Sequence, residues 1–186
     1  MTAVVPFSVV PGTFANVIVE YQGTQSPVVP IFVAGSAPGL FTADSSGAGP
    51  AAVLNVDSTT GAVSLNTPQN PASAGGLIVA YVTGAGQTNP PSQDGVVATS
   101  AGGMALAIEA GLNFVLASFG SGPTDCASNP GCRPLELLYS GPAPGIVAGV
   151  MQVNMRLPST LASGTYNLGI SAGGTWSQDL ASISIR

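Results

Sequence analysis

The sequence has no histidine and no lysine, and its only cations are Arg133, Arg156 and Arg186. Charged residues make up 6 % of the chain, far below the roughly 25 % of an ordinary globular protein. Each absence excludes a chemistry. Without histidine there is no imidazole base for a hydroxyl or thiol nucleophile and no imidazole metal ligand. Without lysine there is no Schiff-base amine, and no Lys–Asn isopeptide crosslink can stiffen the fold. Three arginines cannot form the basic patch that neutralises nucleic-acid phosphates, so no nucleic-acid partner is expected. No apolar run approaches the ~20 residues that cross a bilayer. Met1-Thr2-Ala3 leads straight into Val4-Val5-Pro6, without the charged and apolar regions of a signal peptide. An exported form would have lost its signal or carry it upstream.

What is present is 186 residues, 45 % of them apolar, with 25 Gly, 16 Pro and a formal charge of −5. Disorder calls for low hydropathy and high net charge, and this chain has neither. It is read as folded. Area scaling lets a chain of this size bury roughly 70 % of its surface, in one large sheet protein or in two smaller modules. Ala and Val dominate the apolar set, while Ser, Thr, Asn and Gln supply the polar faces. Uncharged polar surfaces of this kind suit a secreted or cell-surface protein.

Period-two alternation recurs along the chain and no segment holds a helical period. Strands are expected at Val4–Val9, Asn16–Tyr21, Val28–Val33, Ala51–Val56, Ala62–Leu65, Leu77–Thr83, Met104–Glu109 and Asn113–Ser118. Further strands are expected at Leu135–Tyr139, Val150–Arg156, Thr165–Ser171 and Trp176–Ile185. A short helix over Met104–Leu116 is the alternative to the two strands there. Turn signals such as Gln22-Gly23, Asp57-Ser-Thr-Thr-Gly61 and Gly173-Gly174 separate the runs. Many short strands with frequent turns imply an all-β chain of antiparallel sandwiches.

Two internal echoes refine this. Pro6…Gly12-Thr13-Phe14 returns as Pro158…Gly164-Thr165-Tyr166, each copy followed by a strand, a Gly turn with serine (Gly23…Ser26, Gly174…Ser177) and a closing strand. Ala37-Pro-Gly-Leu40 returns as Ala143-Pro-Gly-Ile146. A unit used twice implies two related β-sandwich modules, 1–95 and 96–186, divided within Gln87–Gly103. In the alternative, residues 1–35 are the closing hairpin of a module completed elsewhere in this chain or in a neighbour.

Further motifs are Ala37-Pro-Gly-Leu-Phe41, Asn70-Pro-Ala72, Val82-Thr-Gly-Ala-Gly86-Gln-Thr-Asn-Pro90, Tyr139-Ser-Gly-Pro-Ala-Pro-Gly145 and Gly149-Val-Met-Gln-Val-Asn154…Leu157-Pro158. With these, the chain from about residue 5 onward resembles the Solibacter-type uncharacterised C-terminal domain family of secreted bacterial proteins. The resemblance implies export and an Ig-like β-sandwich, and it supplies no catalytic residue.

Cys126 and Cys132 flank Ala-Ser-Asn-Pro-Gly, a turn that can bring the sulfurs together. They are read as a disulfide, with two unpaired loop thiols as the alternative. Two thiolates do not close a zinc site. The acids Glu20, Asp44, Asp57, Asp94, Glu109, Asp125, Glu136 and Asp179 show no motif that selects a glycosidase pair. Asp44-Ser-Ser-Gly47 and Asp57-Ser-Thr-Thr-Gly61 lack the repeated oxygen ligands of a calcium loop and read as capped turns. Gly84-Ala-Gly86 lacks the third glycine and the helix of a dinucleotide site. Gly169-Ile-Ser-Ala-Gly173 matches a nucleophile elbow in letters only, because Gly174-Thr-Trp-Ser leads on into a strand. No catalytic, cofactor or metal residue is assigned. Trp176 and Tyr21, beside hairpin turns and amide side chains, are the candidates for stacking on a sugar face; Tyr81, Tyr139 and Tyr166 are expected in the core.

The expected function is a non-catalytic extracellular module for adhesion, scaffolding or self-assembly. Its partners would be proteins or other copies of itself, engaged through sheet edges such as Val4–Val9 or Ser182–Ile185. A carbohydrate-binding module using Trp176 is the alternative, and a carboxylate hydrolase is a third reading.

Overall fold

The computed structural model describes residues 3–99, 108–114 and 132–186. Every regular element among them is a strand. Four short ones come first: β1 (Phe14–Val17), β2 (Glu20–Tyr21), β3 (Thr24–Gln25) and β4 (Val29–Phe32). Next are β5 (Gly39–Leu40), β6 (Gly49–Pro50), β7 (Val53–Val56), β8 (Val63–Leu65) and β9 (Leu77–Thr83). The remainder are β10 (Ile108–Phe114), β11 (Arg133–Pro134), β12 (Glu136–Pro142), β13 (Val150–Arg156), β14 (Gly164–Ala172), β15 (Thr175–Trp176) and β16 (Ala181–Ile185).

Two six-stranded sheets carry the body of the protein. The first runs β12-β13-β9-β7-β8 with β5 on β9; the second runs β11-β10-β14-β16-β6 with β15 on β14. Pairing is antiparallel except where β16 meets β6. Alternation builds the core between them. Ile78, Ala80 and Val82 of β9 and Met151, Val153 and Met155 of β13 meet Leu168 and Ile170 of β14 and Ile183 of β16 in one buried cluster. A polar pin crosses the same space. Asn66, just after β8, donates from Nδ2 to the Ser184 carbonyl at 2.9 Å and accepts the Ser184 N–H at 2.8 Å.

The all-β antiparallel sandwich is as expected, but the division near residue 95 does not follow the strand pairing. β9 pairs with β13 along its whole length, from Leu77↔Arg156 to Thr83↔Val150. The second sheet likewise takes β6 from the first half and β14 and β16 from the second. Among the described residues, both halves therefore contribute to one buried cluster that runs from Leu40 to Ile185, and the Pro- and Gly-rich segment before residue 99 is a loop beside it. Local composition marks a loop but does not show which strands it joins.

Other expectations are corrected in detail. Val4–Val9 contains turns and no strand, since Pro6 interrupts any ladder there. Trp176–Ile185 is two strands, β15 and β16, split by residues 177–180. Of the two strands expected around Gly111, residues 104–107 and 115–118 lie outside the described residues; within 108–114, β10 runs through Gly111, which pairs with both Pro134 and Gly169. Ser182–Ile185 is no edge: β16 lies between β14 and β6.

Gly84 shows where the backbone leaves no room. Its φ is +69°, a Cβ there would run into the Ala37 carbonyl oxygen, and its own carbonyl accepts the Ala37 N–H at 2.7 Å. Gly84→Ala is expected to lower unfolding stability by about 2 kcal/mol or more, read as a shift in the urea midpoint at unchanged m.

Candidate functional site

The acids fall on separate turns and strand ends. Asp44 Oδ1 accepts the Ser46 N–H at 3.0 Å and the Ser46 hydroxyl at 2.7 Å. Asp57 Oδ1 accepts the N–H groups of Thr59 and Thr60 at 2.8 and 2.9 Å. Both are the side-chain-closed turns that the sequence implied. Glu136 pairs with Arg156 across β12 and β13 at 3.0 Å, Glu20 accepts from the Gln25 amide at 3.1 Å, and Asp94 accepts the Phe7 N–H. Among the described residues no three Cys, Asp or Glu gather as metal ligands. Asp125 and Cys126 lie outside the described residues, as does the side chain of Glu109.

The turn hydrogen bonds from Thr60 and Thr59 hold the Asp57 carboxyl below its ordinary value of 3.8. A depressed value stabilises the fold above the unfolded pKa, and that stabilisation fades as pH falls through the folded one. Thermal melts of Asp57→Ala against the parent should therefore differ most near neutral pH. The gap should close below pH 3.8.

A shallow cleft of about 220 Å³ lies between Ser92, Gln93, Val96, Val97, Pro142 and Ala148. Its lining, which includes the hydroxyls of Ser92 and Thr99, carries no side chain that ionises near neutral pH. Ser171, the centre of the Gly-x-Ser-x-Gly match, is buried within β14 and pairs with Trp176 in a hairpin rather than facing a helix.

The two stacking candidates are not brought together. Trp176 is half-buried on β15 and packs against buried Cys132; no cysteine among the described residues is free. Tyr21 ends β2 on a different hairpin and is exposed, with the Gln22 amide 3.3 Å from its hydroxyl. Tyr139 and Tyr166 donate to the Pro142 and Ala162 carbonyls at 2.8 and 2.9 Å. Tyr166 is buried in the core as expected, while Tyr81 and Tyr139 are half-buried.

The main departure from an ordinary surface is the ribbon made by β1–β4. Phe14 pairs with Phe32 and Val17 with Val29, the strands continue into β2 and β3, and both faces are apolar. Its large side chains, among them Val17, Ile18, Val28 and Ile31, are 42 to 72 % exposed. A lone two-stranded hairpin is marginal in water, and large apolar side chains grouped in solvent in this way are uncommon on a monomer.

The chain itself contains the buried counterpart. In the ribbon, Ser26 donates its N–H to the Val19 carbonyl at 2.8 Å and accepts the Val19 N–H on Oγ at 3.0 Å. In the second sheet, Ser177 donates its N–H to the Ile170 carbonyl at 2.8 Å and accepts the Ile170 N–H on Oγ at 3.1 Å. Each serine clamp ties a β-hairpin across a Gly-containing turn, so the sequence echo is a structural repeat. The environments are opposite. Phe14, Phe32 and Val19 are 70, 57 and 42 % exposed, whereas Tyr166, Ile183 and Ile170 at the matching places are 3, 1 and 0 %.

Sequence reading singled out Tyr21 but not Phe14 or Phe32, although the echo already paired Phe14 with the core residue Tyr166. No helix among the described residues is long and apolar enough to cross a membrane. Comparison with family models, curated proteins and solved structures gives no match to this chain.

Proposed function

We propose that this chain is a non-catalytic, extracellular β-sandwich module that acts in adhesion, scaffolding or self-assembly. The observation that carries the reading is the ribbon of β1–β4, a second copy of a core hairpin left with its apolar face in solvent. Such a surface gains free energy by joining another protein, and transfers no proton. The dispersed acids, spent on turns and one surface ion pair, fit the same reading.

An extracellular address rests on the uncharged polar surface and on the resemblance to the Solibacter-type family of secreted, Ig-like domains. A Cys126–Cys132 disulfide belongs to this proposal. Cys132 is buried against Trp176, and a bridge across so short a loop stabilises by roughly 2–3 kcal/mol in an oxidising compartment.

A glycan array and a polysaccharide-hydrolysis panel on the intact chain test the reading. It expects neither binding nor turnover. Glycan binding lost in Tyr21→Ala or Trp176→Ala, or hydrolysis lost on replacing one Asp or Glu, overturns it.

A further inference from the structure

We infer that the ribbon's partner is a second copy of this chain, joined to the first along the outer edge of β1. The inference rests on the assembly reading above and names what covers the exposed ribbon. The counterpart hairpin shows which edge of such a unit is used. There the outer edge of β14, the strand matching β1, carries β10 antiparallel over seven register pairs from Ile108↔Ala172 to Phe114↔Tyr166. Its return strand β16 meets β6 at only two positions.

The ribbon's own edges differ in the same sense. Asn16 lies opposite Pro30. Proline has no N–H, so this is a pair not joined by hydrogen bonds, and the backbone groups of both residues face outward. On the β4 side the edge is blocked by Pro30, a common guard against strand addition. On the β1 side Phe14, Asn16 and Ile18 present free N–H and C=O groups, with no proline and no charge among them.

That edge is self-complementary. Two β1 strands set antiparallel about a twofold axis at Asn16 exchange both hydrogen bonds of an Asn16 pair and place Phe14 of each copy across from Ile18 of the other. Cross-strand apolar pairs of this kind are the unit of sheet stabilisation. The result is a continuous four-stranded sheet, β4-β1-β1-β4, with Phe14, Ile18 and Phe32 on one face. Charge does not oppose it. Glu20 is the only charged residue from 12 to 33. The two Glu20 carboxylates stand roughly 25 Å apart along the paired strands, well beyond the ~8 Å screening length.

Sedimentation velocity of the full chain over a wide concentration range tests the pairing, together with thermal melts. A reversible monomer–dimer equilibrium is expected. Asn16→Pro, which removes the central outward N–H as Pro30 does on β4, should weaken the dimer about tenfold or more, and Phe14→Asp at least as much. Both variants should melt like the parent at dilution, because neither residue belongs to the core. A chain that stays monomeric throughout, or a dimer indifferent to both substitutions, overturns the inference. So does a dimer lost in Phe14→Asp but kept in Asn16→Pro, since the contact would then be face to face. A monomer that neither binds glycans nor hydrolyses them refutes self-pairing alone and leaves the module reading standing.

Discussion

Asn66→Ala should destabilise the protein by about 2–3 kcal/mol, more than the loss of an ordinary hydrogen bond. The reason is what the amide leaves behind. Asn66 is buried and its side chain satisfies the N–H and the C=O of Ser184 on the opposite sheet, while Nδ2 also reaches Asn55 Oδ1 at 2.9 Å. Alanine would strand the buried Ser184 N–H, at about 1–3 kcal/mol for an orphaned group, and remove one of two donors from the Ser184 carbonyl, which keeps the Ala72 N–H at 2.9 Å. Asn66→Asp separates geometry from charge: it keeps the acceptor for the Ser184 N–H but sets a carboxylate oxygen against the Ser184 carbonyl. It should be no better than alanine near neutral pH. Chemical denaturation of the two variants, with the midpoint read at constant slope, checks both statements.

The second large effect is a contrast between twins. Ile170 and Val19 are held by the same serine clamp at the same place in two related hairpins. Ile170→Ala should cost about 3 kcal/mol, because it empties a fully buried position in the shared core. Val19→Ala should cost less than about 0.5 kcal/mol in thermal unfolding at dilution, because its side chain is 42 % exposed. Equal losses at the two sites would mean that something covers the ribbon within the monomer.

Local pattern carried much of this architecture. Leu77–Thr83 and Val150–Arg156 have the bounds read from the sequence, because a β-branched run in the first and strict apolar–polar alternation in the second, each ending at a turn signal, leave little freedom. The serine clamps were foreshadowed by Gly23…Ser26 and Gly174…Ser177. What the residues did not reveal was pairing. Nothing local says that Leu77–Thr83 must lie beside Val150–Arg156, since that depends on which apolar faces meet across seventy residues of chain. Two-residue strands such as β5 and β6 were also missed. Gly39–Leu40 and Gly49–Pro50 have no strand signature, and their ladders are imposed by β9 and β16. At the candidate surface the same gap operates: alternation predicts an apolar face but not whether another sheet covers it.

The place of β16 affects how the protein acquires its fold. This strand sits between β14 and β6, and Ala72 bridges its end in parallel, donating its N–H to the Ser184 carbonyl at 2.9 Å and accepting the Arg186 N–H at 2.8 Å. Residues 181–185 therefore complete an interior position that earlier segments have to hold open. A chain emerging from the ribosome cannot close its sandwich until that stretch is synthesised. High contact order slows such closure. Until then the core-facing sides of β9 and β13 stay open to chaperones.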